Sequence, residues 1–273
     1  MLKLMYITND PAVARIAAEA GVDRIFIDME VLGKAERQKG MNTVQSNHTP
    51  EDIRRVRAAI GNTAEIIARI NPLNPNSGAE IDAAVENGAD IIMLPMWKTA
   101  ADAERFLSLV NGRRRTMLLL ETDAAADCIA EVVKLGGIDE IHIGLNDLHL
   151  CYRQKFMFEP LADGTVERIV GTVKAEGIRC GFGGMVRPGS GMLPAELILS
   201  EHCRLGSEIV ILSRGFCNAA RFTSEAAIRG QFTAGVAEIR ALERVYAGWT
   251  PERFEKNRLT VKAQVSEIVS RMG

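Results

Sequence analysis

Eight short apolar runs, each followed by a stretch of helical periodicity, constrain this chain more than any other feature of it. The runs cover 2–8, 23–29, 65–70, 90–94, 116–121, 140–145, 179–184 and 208–213. Several are unbroken, as in Ile91-Ile92-Met93-Leu94, which is how parallel strands covered on both faces read. Helical stretches cover 11–20, 50–60, 77–87, 99–110, 123–135, 166–176 and 194–205. The helix-to-strand turns carry glycine, as in Ala20-Gly21-Val22-Asp23, Asn87-Gly88-Ala89-Asp90 and Leu205-Gly206-Ser207-Glu208. Glycine takes the left-handed C-cap without steric penalty. A doubly wound open sheet is the competing arrangement. Its first strand-to-helix turn usually carries GxGxxG, and here that turn reads Thr8-Asn9-Asp10-Pro11. The expected fold is therefore a (β/α)8 TIM barrel with extra C-terminal helices, and 273 residues suffice for one such unit. The barrel is expected to occupy 1–225. In the remainder, 226–273, Ile228, Phe232, Val236, Ile239, Leu242 and Val245 recur every three or four residues. That helical extension is expected to pack on the barrel or on a neighbouring subunit.

Charge removes several function classes. Lys and Arg number 33 against 35 Asp and Glu, with no basic run beyond Arg113-Arg114-Arg115, so nucleic acid is not an expected partner. No apolar stretch approaches the roughly 18 residues that span a bilayer, so no membrane association is expected either. The five cysteines are scattered without a CxxC pair, the usage of a reducing, cytoplasmic setting.

In barrels of this kind the reactive groups sit at the C-terminal ends of strands. Those ends supply Asp28 and Glu30, Arg69 and Asn71, Glu121, Asn146 and Asp147, and Ser213 and Arg214. Two carboxylates on neighbouring strand ends, Glu121 and Asp147, suit a hard cation such as Mg²⁺ or Mn²⁺. The blander alternative pairs Glu121 with Arg69 and makes Asp147 a helix cap. Arg69, alone at the end of Ile66-Ile67-Ala68, is a natural clamp for a carboxylate, or else an ion-pair partner of Asp28 or Glu30. After the seventh strand, Gly181-Phe182-Gly183-Gly184 runs into Arg187-Pro188-Gly189-Ser190-Gly191. Such a loop binds an anionic group through its backbone, or serves as a lid. His48 lies in the long polar segment after the second strand, just before Thr49-Pro50, a good helix start, and is the candidate acid/base group. His142 is expected to be buried, and His149 and His202 to be structural.

Five pieces in order, Ile25-Phe26-Ile27-Asp28-Met29-Glu30, Ala68-Arg69-Ile70-Asn71-Pro72, Asn87-Gly88-Ala89-Asp90-Ile91-Ile92-Met93-Leu94-Pro95, Leu120-Glu121-Thr122 and Gly144-Leu145-Asn146-Asp147-Leu148, resemble the HpcH/HpaI aldolases and related citrate lyase beta chains. The resemblance spans roughly residues 10–215 and implies a phosphoenolpyruvate/pyruvate-type barrel. It implies that Glu121 and Asp147 hold Mg²⁺ or Mn²⁺, and that Arg69 binds the carboxylate of a 2-oxo acid. Backbone N–H groups from Gly144 through Leu145 and Asn146 to Asp147 would assist, and Asp28 and Glu30 belong to the catalytic motif. The aldolase branch carries a histidine directly after that glutamate. Here the position is Val31, so His48 or a water would have to serve. The implied reaction is that of a metal-dependent, class II aldolase or lyase working through a pyruvate-type enolate, with a small aldehyde partner. Arg187 would bind an anionic distal group on that aldehyde. A coenzyme A thioester lyase and a non-catalytic barrel with a binding role are the alternatives. The expected assembly is a homo-oligomer.

Overall fold

Alternate side chains of each apolar run share one face, and closing eight such runs into a ring turns one face inward. A computed structural model, described here for residues 1–33 and 46–272, shows that ring. It is a closed barrel of eight parallel strands in chain order. They are β1 (Lys3–Ile7), β2 (Arg24–Asp28), β3 (Glu65–Arg69), β4 (Ile91–Leu94), β5 (Arg115–Leu120), β6 (Glu140–Ile143), β7 (Arg179–Met185) and β8 (Ile209–Leu212). β1 closes the ring by pairing with β8, Leu4 opposite Val210. The helices are α1 (Pro11–Glu19), α2 (Pro50–Ile60), α3 (Ser77–Glu86), α4 (Ala100–Val110), α5 (Asp123–Val132), α6 (Leu145–Cys151), α7 (Glu159–Ala162), α8 (Thr165–Ala175), α9 (Ala195–Leu205), α10 (Glu225–Tyr246) and α11 (Pro251–Arg271). The middle of the polar segment after β2, 34–45, lies outside the described residues. Among those residues no helix is long and apolar enough to cross a membrane.

The inward face changes character along the strands. At the N-terminal end Arg24, fully buried, gives both guanidinium Nη atoms to Glu140 at 2.5 and 2.6 Å and its Nε to Glu65 at 2.9 Å. Arg179 adds a bond to Glu140 at 2.9 Å, and Arg115 bonds Glu65. This network forms a floor. Above it Met5, Phe26, Ile67, Ile91, Met117 and Ile209 make an apolar belt, continued upward by Met93 and Leu119. Charge returns at the C-terminal end, where Asp28, Arg69 and Glu121 stand on the same inward face. Thus β2 reads Arg24–Phe26–Asp28 and β3 reads Glu65–Ile67–Arg69, charge below and above an apolar middle.

β7 needs glycine where it meets β8. A Cβ on Gly181 would lie 2.1 Å from the carbonyl oxygen of Ile209. The register slips between Gly181 and Gly184, and His142 bonds the Gly183 carbonyl across this irregularity at 3.1 Å. β6 stops at Ile143, short of the expected 145, and the chain turns at once into α6. In the C-terminal part, α10 packs on α1 and α9, and α11 packs on α9 and α7. Ile228, Phe232, Val236 and Ile239 are buried, with Phe232 edge-on to Tyr6 at 4.8 Å, whereas Val245 is exposed and Tyr246 takes the inward place.

Candidate active site

Arg69 ends β3 above Phe26, its guanidinium carbon 5.4 Å from the ring centre. The parallel register sets Arg69 beside Asp28, and Nε donates to the Asp28 carboxylate at 2.8 Å. Nη2 lies 3.4 Å from Glu30. Burial works against the positive charge, but Asp28 and Glu30 outweigh it and raise the pKa. Arg69 is therefore ion-paired with Asp28 and Glu30 and not with Glu121. Its Nη1 edge carries no hydrogen bond among the described residues.

Glu121 follows β5 and is buried, 3% exposed. Its Oε1 accepts the Met96 N–H at 3.1 Å. Met96 takes φ of 55°, a left-handed conformation uncommon outside glycine, and this turn after β4 aims the N–H at the carboxylate. The other oxygen, Oε2, occupies space that a side chain at residue 144 would claim. A Cβ on Gly144 would lie 3.0 Å from Oε2 and 3.0 Å from the Glu121 Cβ. Burial, then the negative charge of Asp147, push the Glu121 carboxyl up to about 8, while Arg69 pulls the other way. Asp147 is half-buried in the first turn of α6, so it reaches this region from a helix start and not from the strand itself. The first N–H groups of α6, those of Leu145, Asn146 and Asp147, have no carbonyl of their own helix to bond. Among the described residues no three His, Cys, Asp or Glu side chains form a metal cage.

His48 arrives beside the same cluster. Its Nδ1 accepts the backbone N–H of Asp28 at 3.0 Å. Asn71 supports the cluster from β3. Its Oδ1 accepts the N–H groups of Val31 and Leu32 at 2.8 and 2.9 Å, and its own amide donates to Glu80 at 3.1 Å. The chain after Glu30 is thereby pinned to β3. Arg187 is engaged elsewhere. Its guanidinium forks onto Glu238 of α10 at 2.7 and 3.1 Å and donates to Gln231 at 2.6 Å, and among the described residues no contact joins it to Arg69 or Glu121. His142, His149 and His202 are all buried. Met96 and the bare Cα of Gly144 are the parts of the site that strand-end reasoning overlooks, because neither acts through a side chain.

A family model described as HpcH/HpaI aldolase/citrate lyase matches residues 3–183. The chain belongs to this family. Solved structures agree with the barrel. An HpcH/HpaI aldolase/citrate lyase family protein from Burkholderia cenocepacia J2315 superposes with a TM-score of 0.63 at 15% identity, over 88% of this chain and 94% of its own. An HpcH/HpaI aldolase from Desulfitobacterium hafniense DCB-2 gives 0.59 at 16%, over 88% and 93%. The citrate lyase beta subunit from M. tuberculosis, complexed with oxaloacetate and magnesium, gives 0.57 at 16%, over 85% and 96%. No curated protein matches the sequence. The family match ends within β7, so the β7 and β8 exit loops and α9 to α11 lie beyond it.

Proposed function

We propose that this family member is a metal-dependent, class II carbon–carbon lyase that works through the enolate of a small, pyruvate-type 2-oxo acid. The observation that carries the reading is the meeting of two carboxylates, Glu121 and Asp147. Burial and then the negative charge of Asp147 push the buried Glu121 carboxyl up to about 8. Buried charge of one sign is costly unless a counter-ion meets it. Two oxygen donors, Asp147 and the Glu121 carboxylate seated against the bare Cα of Gly144, fit Mg²⁺ or Mn²⁺, which take few protein carboxylates and leave positions for water and substrate. The cation, when bound, supplies Lewis-acid polarisation of the substrate carbonyl.

The chain's own groups do the rest. Arg69, fixed through Nε by Asp28, offers its remaining edge to the carboxylate of the oxo acid. First-turn N–H groups of α6 assist in holding that carboxylate. Burial of the cluster excludes water and so strengthens each of these contacts. His48 stands beside the cluster. With Nδ1 accepting from the Asp28 backbone, His48 carries its ring proton on Nε2. It takes the proton of the aldol hydroxyl only after the Asp28 bond to Nδ1 is released. Val31, in the place of the aldolase histidine, contributes only its backbone.

The test is exchange of pyruvate methyl protons with deuterated water, followed by NMR with and without Mg²⁺ or Mn²⁺. Metal-dependent exchange that disappears in Glu121→Gln is expected. Exchange that ignores the metal or survives in Glu121→Gln would sink the reading. Absence of exchange together with cleavage of a coenzyme A thioester would move the same cluster to the thioester lyase reaction.

A further inference from the structure

Glu80 stands half-buried in the first turn of α3, and among the described residues no cation lies within ion-pair distance of it. A carboxylate there suits the helix dipole, which asks nothing of the residues around it. This one is committed to three amide N–H groups instead. Its Oε2 accepts the backbone N–H of Asn71 at 3.0 Å and the Asn71 Nδ2 at 3.1 Å, and its Oε1 accepts Nδ2 of Asn74 at 3.0 Å. The contact with Asn71 has a direction. A side-chain amide donates only from its nitrogen and accepts only at its oxygen. With Nδ2 taken by Glu80, Oδ1 is turned to the chain leaving β2, where it accepts the N–H groups of Val31 and Leu32 at 2.8 and 2.9 Å.

The side chain of Val31 is 52% exposed, so what is held at this point is main chain. Immediately before it lies Glu30, buried, with its carboxylate 3.4 Å from Nη2 of Arg69. On the other side of Glu30, the Met29 N–H bonds the Arg69 carbonyl at 3.0 Å. Glu30 thus sits between two points of backbone, each tied to β3 or its exit. We propose that Glu80 is a positioning residue for the oxo-acid clamp: by orienting the Asn71 amide it fixes the chain at Val31 and Leu32, and so holds Glu30 against Arg69. The relay of hydrogen bonds stands by itself. Its effect on a substrate rests on the lyase reading above.

Glu80→Gln tests the relay with little change of shape. It puts one oxygen and one NH2 group where Glu80 has two oxygens, so a donor of Asn71 or Asn74 meets another donor. Amide hydrogen exchange of the Mg²⁺-loaded protein is expected to quicken at Val31 and Leu32. Pyruvate should bind about tenfold more weakly by calorimetry, the size of one lost hydrogen bond to a charged group. In proton exchange the loss should fall on KM, with kcat and Mg²⁺ affinity unchanged, because Glu80 touches neither Glu121 nor Asp147. Adding Asn71→Asp reverses the side-chain bond, amide at 80 to carboxylate at 71, and should recover much of both the amide protection and the pyruvate affinity. Wild-type protection in Glu80→Gln overturns the proposal, and so does quicker amide exchange with unchanged pyruvate binding. A matching fall in Mg²⁺ affinity would also overturn it, as a general disturbance of the site. A wild type that binds pyruvate without exchanging its protons would remove the lyase reading and leave the binding comparison to decide the role of Glu80.

Discussion

Gly144 has no side chain, and that absence lets Glu121 stand between the Met96 N–H and the first turn of α6. In Gly144→Ala the new methyl would press on both the carboxylate and the Cβ of Glu121 at 3.0 Å. We expect Mg²⁺ affinity to fall by about tenfold to a hundredfold, the range for residues that orient a ligand, with the circular dichroism spectrum unchanged. Wild-type affinity in this variant would show that Glu121 does not depend on the gap. The same carboxyl gives the metal-free protein a pH signature. Burial pushes His142 down to about 4 and His202 to about 3, from an ordinary 6.5. The unfolded chain therefore binds their protons first, and stability rises with pH up to about 6.5. Glu121 acts in the opposite sense. Raised to about 8 from 4.5, it keeps its proton in the folded state after the unfolded chain has released it, so stability falls as pH climbs toward 8. Between about 6.5 and 8 only the Glu121 effect remains among the described groups with shifted values. The Tm of the metal-free protein should peak near pH 6.5 and then decline, and Glu121→Gln should abolish the decline. A decline of equal size in the variant would assign it to another group.

At the scale of elements, β7 is the strand with least freedom. Gly181→Ala would drive a methyl into the Ile209 backbone at 2.1 Å, and neither strand can yield without parting the barrel. We expect a loss of about 3 kcal/mol or more, the upper end for overpacking, because the obstacle is main chain. Gly136→Ala, with nothing within 4 Å, is the matched control and should be near neutral in urea denaturation. The strands themselves are legible in the sequence to within one or two residues, since each is a short, largely apolar run and several are closed by a polar residue. Arg69 and Glu121 are legible for the same reason. The turn into α6 is not. Ile141 to Leu145 reads as one apolar run, and the seven residues of α6 are too few to display a helical period. The Met96 N–H is equally invisible, because a backbone donor leaves no mark on residue type. Arg187 misleads from sequence alone, since Glu238 lies 51 positions away and only the packing of α10 brings the two together.

For the molecule as a whole, the two ends of the barrel hold charge differently. At the floor, Arg24, Arg115 and Arg179 meet Glu65, Glu140 and Glu208, with Arg24 and Glu140 both fully buried. Glu140→Gln would strand the Arg24 guanidinium beneath the apolar belt, and we expect about 3–5 kcal/mol of lost stability, measured by chemical denaturation. A loss below about 1 kcal/mol, as for a surface pair, would mean that water reaches the floor. At the mouth, by contrast, two carboxylates, Glu121 and Asp147, act on each other with like charge. The apolar belt of Met5, Phe26, Ile67, Ile91, Met117 and Ile209 insulates one end from the other. For laboratory evolution this divides the sequence into two territories. Libraries drawn across the mouth can search for new substrates while the floor is left untouched to hold the fold.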